Sequence, residues 1–146
     1  MAKEQKVIGA FEQVSFPDFK LTGVTAKIDT GAYTGALHCT KIEETKTKTK
    51  KTLRFSPFDH PEVTITTHEY RTTHMRSSNG VDEKRFVINT VIEIYGEKYP
   101  IILSLADRSA MKWPVLIGRR FLRKNHFLVD VHQGKKYSQA VKEIKQ

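Results

Sequence analysis

A chain of 146 residues, 38% hydrophobic and 28% charged, reads as a folded unit with one sizeable core and not as a disordered segment. Lysine and arginine number 25 against 16 aspartates and glutamates, a net charge of +9, so the expected partner is anionic: nucleic acid, a membrane surface or an acidic peptide. No run approaches the ~18 apolar residues of a membrane span.

Residues 1–30 hold no long apolar core, so no signal peptide is expected. The single cysteine, Cys39, rules out an intrachain disulfide and suits a reducing, cytoplasmic setting. One domain is expected over residues 1–146, with its core in about 7–131 and a polar tail over 134–146. No internal repeat breaks that pattern.

In chain order the segments read as β almost throughout, as in a barrel or sandwich. Val7 to Val14 is a first strand, broken by Pro17-Asp18. Leu21 to Ile28 runs into Asp29-Thr30-Gly31, and Gly35 to Ile42 follows. In ETKTKTKKT, alternation puts Lys46, Lys48 and Lys50 on one face of an extended strand. Leu53-Arg54-Phe55 ends at Ser56-Pro57, and Phe58 to Pro61 is a loop. Val63 to Met75 and Arg85 to Tyr95 flank Ser77-Ser78-Asn79-Gly80, and Asn-Gly between alternating segments predicts a hairpin because both residues tolerate positive φ. Tyr95-Gly96-Glu97-Lys98 predicts a turn and Tyr99 to Leu105 a strand. Val115-Leu116-Ile117 is a short buried strand ended by Gly118, Arg119 to Lys124 is the best helix, and Phe127 to Val131 closes the set. The tail after Gly134 is expected to fray, with at most a helical turn over Ala140 to Ile144.

The chemistry centres on AKIDTGAYTGALHC, Ala26 to Cys39. An apolar strand stops on Asp29 and passes at once into Thr-Gly-Ala. Gly31 allows a sharp turn and leaves room for a group to approach the acid. Thr30 supplies a short hydroxyl able to bond across the turn. By itself the tripeptide is also compatible with an ordinary solvated turn, so its context matters.

That context is Val24 to Ile28 before the acid, Ala32 after it, and Leu116-Ile117-Gly118-Arg119 leading into Arg120-Phe121-Leu122. Together these resemble the retropepsin class of aspartic proteases. AKIDTGAYTGALH, HMRSSNG, residues 105 to 111 (LADRSAM) and residues 113 to 122 (WPVLIGRRFL) are more closely similar to the bacterial family labelled "ATP-dependent zinc proteases". The likeness spans about residues 7 to 131. It departs at Tyr33 and Gly35, where a lysine and a small hydroxyl residue are expected.

The resemblance implies an all-β, retropepsin-like closed barrel with one short C-terminal helix, acting as an aspartic endopeptidase. It implies that Asp29 is the catalytic acid, flanked by Thr30 and Gly31. Two carboxyls must share one proton for this chemistry, and no cofactor is needed. One Asp-Thr-Gly in 146 residues supplies half of that pair, so a homodimer is expected, Asp29 meeting its own copy across a two-fold axis. Thr30 of each copy is then expected to bond across the axis. Arg76, Ser77, Ser78, Asn79 and Gly80 are the expected flap over a bound peptide, and Ala32, Gly118 and Arg119 the support of the site. Arg119 is expected to anchor the helix start or the dimer edge through a carboxylate. Asp107 is read as a loop acid pairing with Arg108 or Arg119.

The zinc and ATP of the family label find no motif. His38, His60, His68, His74, His126 and His132 are scattered, no His-Glu-x-x-His is present, and no Gly-x-x-x-x-Gly-Lys phosphate loop occurs. No metal is therefore expected. His38 and Cys39, being adjacent on a strand, point to opposite faces and are read as ordinary strand residues. Arg76, Arg85 and the lysine face favour an anionic substrate, and the resembled family's association with glutamate-adding ligases points to acidic or poly-glutamate peptides. Two other readings stay open: a basic β-barrel binding nucleic acid through Phe55, Tyr70, Phe86, Tyr95 and Tyr99, and a retropepsin-shaped interaction domain without activity.

Overall fold

In the computed structural model, strand β10 (Val115–Ile117) closes a ring. It lies parallel to β3 (Leu21–Ile28) and antiparallel to β4 (Gly35–Lys46). Around the ring, β3 pairs with β2 (Phe11–Phe16), β2 with β8 (Asp82–Ile94), β8 with β9 (Glu97–Ala106), and β9 with β4. The result is a closed six-stranded barrel, the fold expected from the resemblance. The structure describes residues 5–58, 60–76, 80–107, 113–134 and 136–144.

Alternation builds the barrel. Along β8, Ile88, Thr90, Ile92 and Ile94 are buried at every second position, as one-sided burial of a pleated strand requires. The three isoleucines meet Phe16, Leu37, Leu103, Val115 and Ile117 in one core cluster. Fully burying a side chain of this size contributes about 1.5–3 kcal/mol before entropic costs. The β8–β9 turn places Tyr95 at φ 52° and Gly96 at φ 78°. Two successive positive φ values are the mark of the two-residue turn whose twist matches the strands it joins.

Outside the ring, β5 (Lys51–Pro57) extends the sheet from β4 and carries β6 (Ile65–Thr67) at its edge. Strand β7 (Tyr70–Arg76) forms a hairpin with β8, registered from Tyr70↔Ile88 to Arg76↔Asp82. Strand β1 (Lys6–Ile8) pairs in parallel with β11 (Phe127–Val129) as a separate two-stranded sheet. Helix α1 (Arg119–Lys124) follows β10 over the predicted span, and β3 also matches its prediction.

Four segments differ from the sequence reading. Val7 to Val14 splits at Gly9-Ala10, because β1 pairs with β11 while β2 pairs with β3. The bend is held by the Gly9 N–H donating to Glu12 Oε2 at 2.9 Å. The lysine-threonine run is a hairpin turn and not a continuous strand. Thr47 N–H and Oγ1 both donate to Lys50 O, at 2.8 and 3.1 Å, and Lys50 N–H donates to Thr47 Oγ1 at 3.1 Å. Lys46, Lys48 and Lys50 therefore share no strand face. Val63 to Met75 divides at His68-Glu69, where the chain leaves β5 for β8; Glu69 N–H bonds Thr67 Oγ1 at 3.2 Å.

The fourth difference is the tail. Residues Tyr137–Ile144 form helix α2, so the molecule has a second C-terminal helix beyond the one expected. Ala140 is fully buried in a small cluster with Phe11 and Trp113, against Ala10, Leu116 and Val141. That apolar contact orders a segment whose composition alone favours solvent.

Candidate active site

The parallel β3–β10 ladder carries on past Ile28 for one more bond, the Asp29 N–H donating to Ile117 O at 2.8 Å. The acid thus stands at the end of a strand held on both sides of its backbone. Two further bonds shape the loop: Gly31 N–H donates to Asp29 Oδ1 at 3.1 Å and Ala32 N–H to Asp29 O at 3.2 Å. The Asp29 side chain is half-buried, while Thr30 and Gly31 lie exposed at the tip. Among the described residues Thr30 makes no side-chain bond within the chain, so backbone amides close the turn and not its hydroxyl.

Helix α1 completes the loop from the other side. A helix start leaves its first N–H groups without intrahelical partners. Here Arg119 N–H donates to Ala32 O at 2.8 Å and Arg120 N–H to Tyr33 O at 3.0 Å. The loop carbonyls cap the helix, which explains why the N-cap, Gly118, needs no side-chain oxygen. A Cβ on Gly118 would sit 2.6 Å from Tyr33 O and 2.9 Å from Ala32 O, so glycine is what permits this approach. Gly35 is equally confined, against the Leu116 carbonyl where β4 crosses β10.

Arg119 ties the helix start to the loop through carbonyls. Its Nη1 donates to the Gly31 carbonyl at 3.0 Å, and its guanidinium lies 5.5 Å from the Tyr33 ring centre. It pairs with no carboxylate among the described residues, Asp107 included; Asp107 is exposed at the end of β9, and Arg108 lies outside the described residues. Within the chain its acceptor is a neutral carbonyl, because the Gly31 peptide turns its oxygen toward α1.

The expected flap falls on the β7–β8 hairpin. Gly80 has φ 82°, Arg76 pairs with Asp82 through the backbone, and Ser77, Ser78 and Asn79 lie outside the described residues. Arg85 is bonded to Glu83 at 3.3 Å and is not a free cation. Lys84 bonds Glu44 at 3.2 Å, and Tyr70 Oη donates to the same carboxylate at 2.7 Å. That contact, then burial, then the lysines define Glu44: the Tyr70 hydroxyl and the Lys84 and Lys46 charges hold its carboxyl below the ordinary range despite desolvation. Sequence reading missed this cluster, because its members lie on three strands.

His38 and Cys39 are both buried on β4. Burial pushes the Cys39 thiol up to about 12. Among the described residues no three His, Cys, Asp or Glu side chains gather to hold a metal ion. His60 contacts Glu62 at 3.1 Å and His132 contacts Asp130 at 3.4 Å, each two residues away, while His68 contacts Lys51 O at 3.0 Å. Of the aromatics considered for base stacking, Phe55, Tyr70 and Tyr99 are buried in the core, whereas Tyr95 is exposed on a turn. They do not form one exposed platform. No described helix is long and apolar enough to cross a membrane.

A closed barrel with an acid loop capped onto a following helix defines the retropepsin-like class. Residues 7–141 match the RimB-like family, described as retropepsin-like aspartic endopeptidase RimB, and the chain belongs to that family. Among curated relatives it is 30% identical over 135 residues to a probable alpha-L-glutamate ligase of Shewanella pealeana, and equally so to one of Shewanella halifaxensis. These alignments cover 89% of this chain but 29% of each relative, so the chain spans under a third of their length. A solved structure from Legionella pneumophila, of unknown function, is similar with a TM-score of 0.71 at 25% identity, covering 90% of this chain and 97% of that one.

Proposed function

We propose that the chain is an aspartic endopeptidase that works as a homodimer, Asp29 of each copy forming one shared acid pair. The observation that carries this reading is the loop itself. Asp29 is held by its backbone to Ile117 and by Oδ1 to the Gly31 amide, while Thr30 and Gly31 are left exposed at the tip for a second copy to meet. Membership of the family supports the same chemistry.

Two carboxyls about 3 Å apart share one proton, since both cannot easily ionise. The ionised one takes a proton from water as the water oxygen bonds to the scissile carbonyl carbon; the protonated one donates to the carbonyl oxygen. Collapse of the resulting diol breaks the C–N bond: the proton held by the first carboxyl passes to the leaving amine, while one diol hydroxyl returns its proton to the second carboxylate, leaving a carboxylic acid product and the pair again with one shared proton. Either Asp29 can play either part, because the pair titrates as a unit. Rigid placement at a strand end suits this chemistry, which depends on spacing. In this reading Thr30 of each copy bonds across the axis, and the β7–β8 hairpin folds over the bound peptide and excludes water.

Acidic or glutamate-rich peptides are the proposed substrates. The net charge of +9 favours an anionic chain, and the relatives' names concern glutamate ligation. The test is cleavage of a fluorogenic glutamate-rich peptide by the wild type and by Asp29→Asn. The expected loss is about a thousandfold or more, within the range of removing an essential catalytic group. Titrating wild type with excess Asp29→Asn should lower activity further as mixed dimers form. Retention of turnover by Asp29→Ala, or full activity in a strictly monomeric species, would overturn the reading.

A further inference from the structure

We propose that the cleft beside the acid loop, walled by Tyr33, Thr34, Asn89, Arg120, Phe121 and Lys124, is a subsite for an acidic side chain of the peptide. It rests on the endopeptidase reading, since it needs a peptide lying along that loop. The cleft has a volume of about 230 Å³. That is below the ~300 Å³ at which pockets begin to hold whole small-molecule ligands, and it suits a side chain.

Its charge selects the guest. No carboxylate lines the cleft, whereas two cations do. Arg120 and Lys124 are four residues apart on α1, so their side chains rise from one face of the helix. Among the described residues neither has an ion pair, in contrast to Lys84 and Arg85, which line a cleft at the end of β9 and are already bonded to Glu44 and Glu83. The Arg120 guanidinium lies 5.8 Å from the Tyr33 ring centre. A ring contact of this kind neutralises no charge, so the guanidinium keeps its N–H donors for a carboxylate. Asn89 and Thr34 add neutral polar groups to the wall. The cleft is linked to the acid loop through its own wall: Tyr33, whose carbonyl accepts the Arg120 N–H, follows Asp29 by four residues. Asp18 adjoins it as an opposing charge, its Oδ2 accepting from the lining Thr90 hydroxyl at 3.3 Å.

Binding can be read without turnover in the Asp29→Asn protein, using fluorescence anisotropy of a labelled hexaglutamate peptide and its hexaglutamine counterpart. Adding Arg120→Gln and Lys124→Gln together should weaken the glutamate peptide about tenfold, the scale of two partly exposed charge-assisted contacts. Arg123→Gln removes the same charge from an exposed residue of α1 outside the cleft, and should change affinity less than twofold. Asp18→Asn should tighten binding. Amide NMR shifts on adding the glutamate peptide should include Thr34 and Asn89. Three outcomes overturn the subsite: no binding of the glutamate peptide by the parent, unchanged affinity in the double variant, or equal weakening by Arg123→Gln. Cleavage by the wild type without the Arg120/Lys124 contrast removes the subsite alone. The contrast without any cleavage leaves the subsite and removes the endopeptidase reading.

Discussion

The Arg119 guanidinium donates to the Gly31 carbonyl at 3.0 Å, tying the start of α1 to the residue two positions past Asp29. The same residue bonds Ala32 O through its backbone at 2.8 Å, so one arginine holds two successive peptides of the acid loop. Arg119→Ala keeps the backbone bond and frees the Gly31 peptide. On the proposed mechanism kcat should fall about tenfold or more with KM little changed, since a displaced acid loop costs orientation more than binding. Arg119→Lys should recover part of the loss. Steady-state kinetics on the glutamate peptide check this, and an unchanged kcat in Arg119→Ala would remove the positioning role.

Gly118 and Gly31 should separate stability from activity. A methyl group at Gly118 meets backbone atoms at 2.6, 2.9 and 2.9 Å, none of which can swing away. Gly118→Ala should cost about 1–3 kcal/mol, as overpacking does, and lower the urea midpoint accordingly. At Gly31 the same methyl meets only Asp29 Oδ1, at 3.3 Å. Gly31→Ala should leave the urea midpoint within about 1 kcal/mol of wild type while reducing turnover, because the group that must move is the acid.

Glu44 should give the fold an acid-sensitive limb. Its carboxyl is held low, chiefly by the Tyr70 hydroxyl and then by Lys84 and Lys46. In the window between the folded and unfolded values the unfolded chain binds more protons, so stability rises with pH. The contribution is present above the ordinary glutamate range and disappears as pH falls through the lowered folded value. Melting temperatures of wild type and Glu44→Gln should therefore differ most near neutrality and converge in acid. A gap that widens toward low pH would contradict this sign.

Cys39 should be silent in the native protein. Burial raises its thiol to about 12, and the thiolate is the reactive form. Iodoacetamide at neutral pH should leave the folded chain unlabelled by mass spectrometry and label it rapidly in urea. Fast labelling of the native protein would mean that β4 opens locally.

Much of the barrel is legible in the chain. Leu21–Ile28 and Arg119–Lys124 were bounded by residues whose local physics is unambiguous: an apolar run stopped by an acid, and a helix entered from glycine. The lysine-threonine run misled because alternation of Lys and Thr fits a strand and a hydroxyl-closed turn alike; the Thr47–Lys50 bonds decide for the turn. The tail misled because the burial of Ala140 depends on Phe11 and Trp113, far away in sequence. At the candidate site, the flanking pattern puts Asp29 at a strand end, where the structure has it. The partner of Arg119 was not, since an arginine announces that it wants an acceptor but not which one.

Composition and local pattern, then, determined a basic, strand-built chain with Asp29 at the end of a strand, because side-chain periodicity and glycine's freedom act over a few residues. Tertiary structure alone decided that Gly31 and not a carboxylate receives Arg119, that the loop carbonyls cap α1, and that Arg120 and Lys124 stand over a cleft beside Tyr33. Those contacts join residues dozens of positions apart, and they form only once β10 has slipped between β3 and β4 to close the barrel.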